Sequence, residues 1–497
     1  MSSSSKCIIL FLLTIVGHSQ GKKNILFIGL DDLRPNLGCY SERNAGVYNS
    51  APMVTPNIDK LSESSALFES AYVQQSVCSP SRTSMLTGRR PDTTHIIDLK
   101  SYFRTIGGNF TTIPQFFKEN GYKSVNIGKM FHASVAASGG DDPPSWDEIY
   151  HAQGTYPTSQ YNESWKAVAE DILEETPLID TAEADYTMQK MEELAPNALL
   201  GVEPFFLAWG LHRPHLPFTF PESFLDFYPV ESVTLPSNPY VPEDMPDTAW
   251  SNWGELLDHH YQDFNTEDPE NGLESDLGQI NVTLPDWKTL DMRRAYYAAI
   301  TYVDYEIGRV LNQLEVLGLA ENTIVVLWGD HGWQLGEHSE WCKHTLFEIA
   351  NRAPLIIKVP GLTDAGVRVQ KPVEFVDIFP TLVELADFPH LELCPQLSNE
   401  TELCTEGSSL LPLLSDPSYD LWKSAVFWQF PRPMGCYIEN HIPCSMGYSV
   451  LSGKYRYTEY VKIINLGANN YTPDWESMID HEELYDQELD PQENRNM

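Results

Sequence analysis

Basic residues are scarce in this chain. Lys and Arg together number 32 against 70 Asp and Glu, a formal net charge of −38 over 497 residues. A nucleic-acid binder needs a basic surface to displace counterions from phosphates, so that class is excluded. Long apolar runs are missing as well. No segment approaches the roughly 18 to 20 apolar residues that a membrane-spanning helix requires. The N-terminal run from Cys7 to Val16 is too short to span. Cysteine is sparse and does not pair evenly: with Cys7 set aside in that run, the eight cysteines leave an odd number. In an oxidising compartment at least one thiol is then free, modified or bonded to another chain.

What the N-terminus does contain points to a compartment. Lys6 precedes the apolar run, and Gly17-His18-Ser19 places small residues at alternate positions. Together they read as a secretory signal peptide over residues 1–19, cleaved from the mature chain. Asn-x-Ser/Thr triplets at Asn109, Asn162, Asn281, Asn399 and Asn470 suit that route. Cys394 with Cys404, and Cys436 with Cys444, are close enough for local bridges, although spacing does not fix connectivity. Cys39, Cys78 and Cys342 are left over. The acidity sets a condition on any polyanionic substrate. Basic residues must concentrate at one site, or the working pH must protonate many carboxylates and histidines.

Asn24 to Gly29 is a short apolar run ending in Asp31-Asp32, which reads as a buried parallel strand with a polar carboxyl end. Open α/β sheets place their sites at that edge. Thr323 to Trp328 repeats the pattern and runs into Gly329-Asp330-His331-Gly332, and Val125–Gly128, Phe205–Gly210 and Pro354–Val359 are further strand candidates. Apolar spacing predicts helices within Pro56–Tyr72, over Ile113–Asn120, and from Asp291 to about Leu317 with Gly318 as the stop. Such alternation implies the α/β class, a mainly parallel sheet covered on both faces. Pro217 to Asp286 is polar and aperiodic, and is expected to be a long surface excursion. A catalytic domain over residues 20–414, a linker near Ser415–Tyr419 and a smaller C-terminal α+β subdomain over residues 420–497 complete the expected organisation.

The most specific element is Cys78-Ser79-Pro80-Ser81-Arg82 followed by Thr87-Gly88. Pro80 suits the first turn of a helix, so Cys78 falls at a helix N-terminus, where partial positive charge favours an anion. Asp31, Asp32 and Asp330 offer carboxylate oxygens to a hard divalent cation. Adjacent residues on a regular strand point to opposite faces, so Asp31 and Asp32 share one ion only if the strand breaks there. Taken alone, such a pair is more often a turn or a helix cap. Polar groups also follow the other strands: Lys129 and His132 in GKMFH, His215 in HRPH, and Lys343 after Trp341-Cys342.

These motifs together resemble the sulfatase family, whose signature is Cys-x-Pro-Ser-Arg with Thr-Gly five residues beyond the arginine. The resemblance covers nearly the whole mature chain. It implies an alkaline-phosphatase-like fold, a large mixed, mainly parallel sheet flanked by helices. It implies that a formylglycine-generating enzyme oxidises Cys78 to formylglycine during biosynthesis. One Ca2+ would be held by Asp31, Asp32, Asp330, His331 and the converted Cys78. His331 is assigned by resemblance alone, because calcium prefers oxygen, and many family members carry Asn there. Arg82 would hold the nucleophile, Lys129 and His132 would flank it and the sulfate, and Lys343 would be the second sulfate lysine. His215 would lie near the leaving oxygen as general acid, with Lys343 the rival donor.

The modification answers a chemical need. A hydrated aldehyde carries two hydroxyls, one to attack sulfur and one to expel sulfate later, whereas a serine could not break its own sulfate ester. The stretches DDLRPNLGCY, QQSVCSPSRTSMLTGRRPDTT, NFTTIPQFFKENGY, GKMFH, LHRPHLPF, DHGWQLGEHSEW and the terminal ELYD with DP and Asn494 narrow the resemblance. They match the subgroup that removes the 2-sulfate from non-reducing-end L-iduronate in heparan and dermatan sulfate, in lysosomes. No cysteine lies between Cys78 and Cys342, so the mid-chain bridge of the mammalian members is absent. Other readings are a sulfatase for another glycan position, a phosphonate or phosphodiester hydrolase with nearly the same site, and a secreted glycan-binding protein without turnover.

Overall fold

The computed structural model describes residues 22–48, 51–156, 163–258, 261–268, 270, 272–439, 442–467 and 470–497. The expected signal peptide and Asn162 lie outside them. The central sheet has eight strands. They are β1 (Asn24–Leu30), β2 (Ala66–Phe68), β3 (Lys123–Gly128), β4 (Glu148–Tyr150), β5 (Phe205–Leu211), β6 (Thr323–Gly329), β7 (Leu355–Lys358) and β8 (Val367–Val369). Their spatial order is β8-β2-β7-β6-β1-β5-β3-β4. β1 pairs in parallel with β5 and β6, β3 with β5 and β4, and β8 with β2, while β7 runs antiparallel to both its neighbours.

Every residue of β1, β5 and β6 is buried. Such runs belong to strands covered on both faces, and successive side chains here do enter different cores. Leu26, Ile28, Leu207, Trp209, Val325 and Leu327 pack on one face, and Ile25, Phe27, Phe206, Ala208, Ile324 and Val326 on the other. The helices that cover them are α1 (Pro56–Ser62), α2 (Cys78–Thr87), α3 (Ile113–Glu119), α4 (Ile179–Leu199), α5 (Gly254–Asp258), α6 (Asp286–Val316) and α7 (Ile378–Leu385). α4 and α6 close the first core through Ala184, Met191, Met292, Tyr296, Ile300 and Val303. α2, α3 and α7 close the second through Met85, Leu86, Phe117, Phe379 and Leu382.

Three expectations change. The helical spacing over Pro56–Tyr72 splits, because α1 stops at Ser62 and Ala66-Leu67-Phe68 becomes a strand. Leu67 enters one core while Ala66 and Phe68 enter the other, which only a strand allows. α6 begins at Asp286, earlier than Asp291, since Lys288 in its polar first turn is anchored on Asp263 at 2.7 Å. Gly318, at φ +70°, ends it as expected. The Pro217–Asp286 stretch is not confined to the surface: Phe218–Pro221 pairs with Trp165–Val168, and α5 reaches the interior.

The C-terminal part, expected as α+β, is a four-stranded antiparallel sheet of β9 (Ala425–Glu439), β10 (Ile442–Ser452), β11 (Tyr455–Gly467) and β12 (Asn470–Asp486). It docks next to the segment leading into Cys78. The Trp428 ring stacks on Tyr72 at 5.2 Å, and the Gln429 N–H donates to the Gln74 carbonyl at 2.9 Å. Disulfides join Cys394 to Cys404 and Cys436 to Cys444, and Cys39, Cys78 and Cys342 are free. Among the described residues no helix is long and apolar enough to cross a membrane.

Candidate active site

Parallel strands lying side by side deliver their carboxyl ends to one edge. β6, β1, β5 and β3 are such neighbours, and their ends carry Asp330-His331, Asp31-Asp32, His212–His215 and Lys129–His132 respectively. α2 points its N-terminus into the same place, beginning at Cys78 itself after Val77. The Cys78 Sγ is 3.5 Å from Asp31 Oδ1, 3.9 Å from Asp32 Oδ1, 3.6 Å from His331 Nε2, 3.8 Å from Lys129 Nζ and 3.3 Å from Lys343 Nζ. The two lysines outweigh burial and Asp31, and the thiol pKa falls below its ordinary value.

The strand does break at the aspartates. Asp32 adopts φ +61°, the left-handed region that Asp tolerates better than most residues. This turn is held on three sides. The Asp32 N–H donates to Asp330 Oδ1 at 2.9 Å, the Tyr296 hydroxyl donates to the Asp32 carbonyl at 2.7 Å, and the Arg34 N–H donates to that hydroxyl at 3.1 Å. Both carboxylates thereby face Cys78. Donor atoms of Asp32, Cys78, Asp330 and His331 lie within 4.8 Å of one another, all buried.

That set fits a divalent cation. Asp32 Oδ2 is buried with no hydrogen-bond partner, an arrangement that is costly unless a ligand completes it. The His331 Nδ1 contacts the Gly332 carbonyl at 2.8 Å. A carbonyl only accepts, so Nδ1 carries a proton, and Nε2 is aimed at Asp32 Oδ1 at 3.1 Å and Asp330 Oδ1 at 3.5 Å, the orientation and support usual for a ligating histidine.

Arg82 is fully buried and ties the carboxylates together. Its Nε donates to Asp330 Oδ2 at 2.8 Å and its Nη2 to Asp31 Oδ1 at 3.1 Å. It is bonded to the acids around Cys78 rather than to the sulfur. Lys129 donates to Asp31 Oδ2, and burial of Asp31 is outweighed by Lys129, His215 and Arg82, which hold its carboxyl well below the usual range. His132 stands at this rim with Nδ1 buried and unpartnered, and burial together with Lys129 pushes its pKa down to about 4. His215 differs. Its Nδ1 donates to the Leu216 carbonyl at 2.6 Å, and its Nε2 lies 3.8 Å from Asp32 Oδ2. Burial opposes the imidazolium, but Asp32 and Asp31 prevail and raise the pKa.

Lys343 is at the centre. Its Nζ donates to Asp32 Oδ1 at 2.7 Å and Glu255 Oε1 at 2.9 Å, besides the contact with Cys78. Glu255, on α5, and Tyr296, on α6, are the members that the sequence reading missed. Glu255 lies in the stretch expected as a surface excursion. The Trp253-Gly254-Glu255-Leu256 island was its signal, since Trp253 and Leu256 are buried amid polar sequence and the Trp253 indole N–H donates to the Ser339 carbonyl at 2.9 Å.

Buried acids, two lysines and a thiol at the carboxyl edge of a mixed sheet suit a hydrolase of anionic esters. The chain belongs to the sulfatase family: the model of that name matches residues 23–388, and that of the N-sulphoglucosamine sulphohydrolase C-terminal region matches residues 336–497. It is a sulfuric ester hydrolase. The iduronate 2-sulfatase of Mus musculus is 36% identical over 518 residues, covering 91% of this chain and 88% of the relative. That of Homo sapiens is 35% identical over 555 residues, covering 99% and 94%. Among solved structures, one complexed with its substrate D-glucosamine-2-N,6-O-disulfate superposes with a TM-score of 0.67 at 22% identity, over 96% of this chain and 93% of that one. At that identity the likeness supports the fold, which is alkaline-phosphatase-like.

Proposed function

We propose that this sulfatase removes the 2-sulfate from L-iduronate at the non-reducing end of heparan and dermatan sulfate, using formylglycine made from Cys78 and one Ca2+. The observation that carries the catalytic part is the ring of two carboxylates, two ammonium groups and an imidazole around the Cys78 Sγ. The sugar assignment is supported by the iduronate 2-sulfatase relatives and by the motifs flanking the nucleophile.

Asp31, Asp32, Asp330 and His331 would hold the cation with the converted residue 78, and the cation would supply Lewis acidity at the sulfate. A hydrated aldehyde at position 78 would supply both the attacking oxygen and the hydroxyl that later releases sulfate. Arg82 keeps Asp31 and Asp330 in place. Lys129 and Lys343 bind the sulfate oxygens, since both ammonium groups already point at the nucleophilic atom. His215 donates the proton to the leaving alcohol from Nε2, because its Nδ1 proton is committed to Leu216. His132 stays neutral and accepts a proton during sulfate expulsion. Two groups with protonation pushed in opposite directions divide the acid and base work.

A secretory route with lysosomal or extracellular delivery is supported by the N-terminal pattern and the disulfides. A formylglycine-generating enzyme is the partner required on that route. The test compares sulfate release from terminal 2-sulfo-iduronate disaccharides, 6-sulfo-glucosamine and aryl sulfates, alongside the mass of the Cys78 peptide. Preferential release from the iduronate substrate and an aldehyde or hydrate at position 78 are expected. Turnover with an unmodified thiol would refute the mechanism, and preference for 6-sulfo-glucosamine would refute the sugar.

A further inference from the structure

Glu255 adds a charge that the proposed mechanism does not use. Its side chain is 11% exposed, Oε1 takes the Lys343 ammonium at 2.9 Å, and Oε2 is buried with no hydrogen-bond partner. Donor atoms of Glu255, Asp32 and His215 lie within 4.8 Å of one another. A second metal ion is not needed there, because the Lys343 ammonium itself bridges Asp32 and Glu255. The charged and titratable groups facing Glu255 are Cys342, Lys343 and His344 from one loop, Tyr261 from the segment after α5, Asp32 from the end of β1, and His215 from the end of β5.

Lys343 has three N–H donors, and Asp32, Glu255 and Cys78 take them all. Asp32 is shared with His331 and His215, so Asp32 alone would leave part of the ammonium's positive charge uncompensated and directed at the ester. We propose that Glu255 is a selectivity residue: by removing that surplus it sets the site for the single negative charge of a sulfate ester over the double charge of a phosphate ester. The inference rests on the sulfate-ester reading above. It does not depend on which ion completes the carboxylates, since the ion contributes equally with and without Glu255. One unit of charge about 6 Å from the ester, at an effective dielectric of about 20, corresponds to roughly a hundredfold, and solvent at the site mouth reduces this to about tenfold or more.

The test measures kcat/KM for matched aryl sulfate and aryl phosphate esters in the wild type, Glu255→Gln and Glu255→Asp. Gln keeps the shape and can still accept from Lys343. In Glu255→Gln the sulfate-to-phosphate ratio is expected to fall about tenfold or more above pH 6, where a phosphate monoester is doubly charged, and to change little near pH 5. Glu255→Asp should retain the wild-type ratio. Calorimetric binding at pH 8 of a matched unreactive aryl sulfonate and aryl phosphonate, which carry one and two negative charges there, should shift in the same sense without turnover. Equal losses on both esters, or a ratio shift independent of pH, would overturn the proposal. A wild type inactive on all sulfate esters would instead remove the reading on which it rests, and the anion-binding comparison would still decide the role of Glu255.

Discussion

Two regions of this molecule bury charge, and they do so differently. At the seam between the catalytic unit and the C-terminal sheet, every carboxylate oxygen of Glu483 and Glu493 is satisfied. Glu483 accepts from Tyr485 at 2.9 Å and Tyr460 at 2.6 Å, and Glu493 accepts from Arg456 and Gln487 at 2.5 Å and from the Glu348 N–H at 2.9 Å. At the active-site edge, Asp32 Oδ2, Glu255 Oε2 and His132 Nδ1 are equally buried but have no partner. A buried polar atom without a partner costs about 1–3 kcal/mol. The seam uses charge to hold two parts together, while the edge keeps bonding capacity open for ligands.

The sharpest way to break this contrast is a pair of substitutions, one in each region. Cys78→Ala is expected to abolish sulfate release while the unfolding midpoint moves little, because the groups around the sulfur are bonded to one another. Arg456→Met should do the reverse. Arg456 is fully buried, and its loss leaves the buried Glu493 carboxylate without its cation, destabilising the protein by about 3–5 kcal/mol with KM of the folded fraction unchanged. Denaturant unfolding and steady-state kinetics on both variants check this. Substantial activity in Cys78→Ala, or an unaltered midpoint in Arg456→Met, would erase the distinction.

Between the two extremes stands Glu340, buried next to the ribbon that carries Lys343. The Ser251 N–H donates to its Oε1 at 3.0 Å, while Oε2 is unpartnered. Burial, only partly offset by that bond and by Arg432, raises its pKa from 4.5 to about 8. The folded state therefore holds a proton that the unfolded chain releases. This contribution to stability is complete below pH 4.5 and declines as pH rises towards 8. Glu340→Gln should match the wild type near pH 4.5 and exceed it near pH 8 by up to a few kcal/mol. Melting midpoints across that range decide it, and a constant difference at all pH values would contradict the assignment.

Why some of these residues were legible in the sequence follows from where they sit. Asp31, Asp330, Lys129 and His215 each end a strand whose two faces are covered, so a polar residue after the apolar run has only the sheet edge to occupy. The reversed direction of β7 left no such trace, since LIIK reads the same either way. The all-strand character of the C-terminal subdomain was hidden because charged residues such as Glu459, Lys462 and Glu482 interrupt the apolar pattern of its strands. Glu255 depended on a long-range contact with Lys343, which local periodicity does not encode. Tyr296 falls within the helix expected from Asp291, where apolar spacing marks it for packing and gives no sign of its hydroxyl contact.

The hydroxyl of Tyr296 offers the finest test, because it acts on the open region through backbone alone. It is buried, donates to the Asp32 carbonyl at 2.7 Å and accepts from the Arg34 N–H at 3.1 Å, so it pins the left-handed turn that aims two carboxylates at one point. Tyr296→Phe keeps the ring packed against Trp333 and Phe218 and leaves those backbone groups unsatisfied, a penalty of about 1–2 kcal/mol. If that strain is spent on the turn, the cation proposed for this site, titrated calorimetrically as calcium into the metal-depleted variant, should bind about tenfold more weakly, and added calcium should restore turnover. If it is spread through the core, the melting midpoint falls while calcium affinity stays at the wild-type value, and Tyr296 is then packing rather than part of the carboxylate geometry.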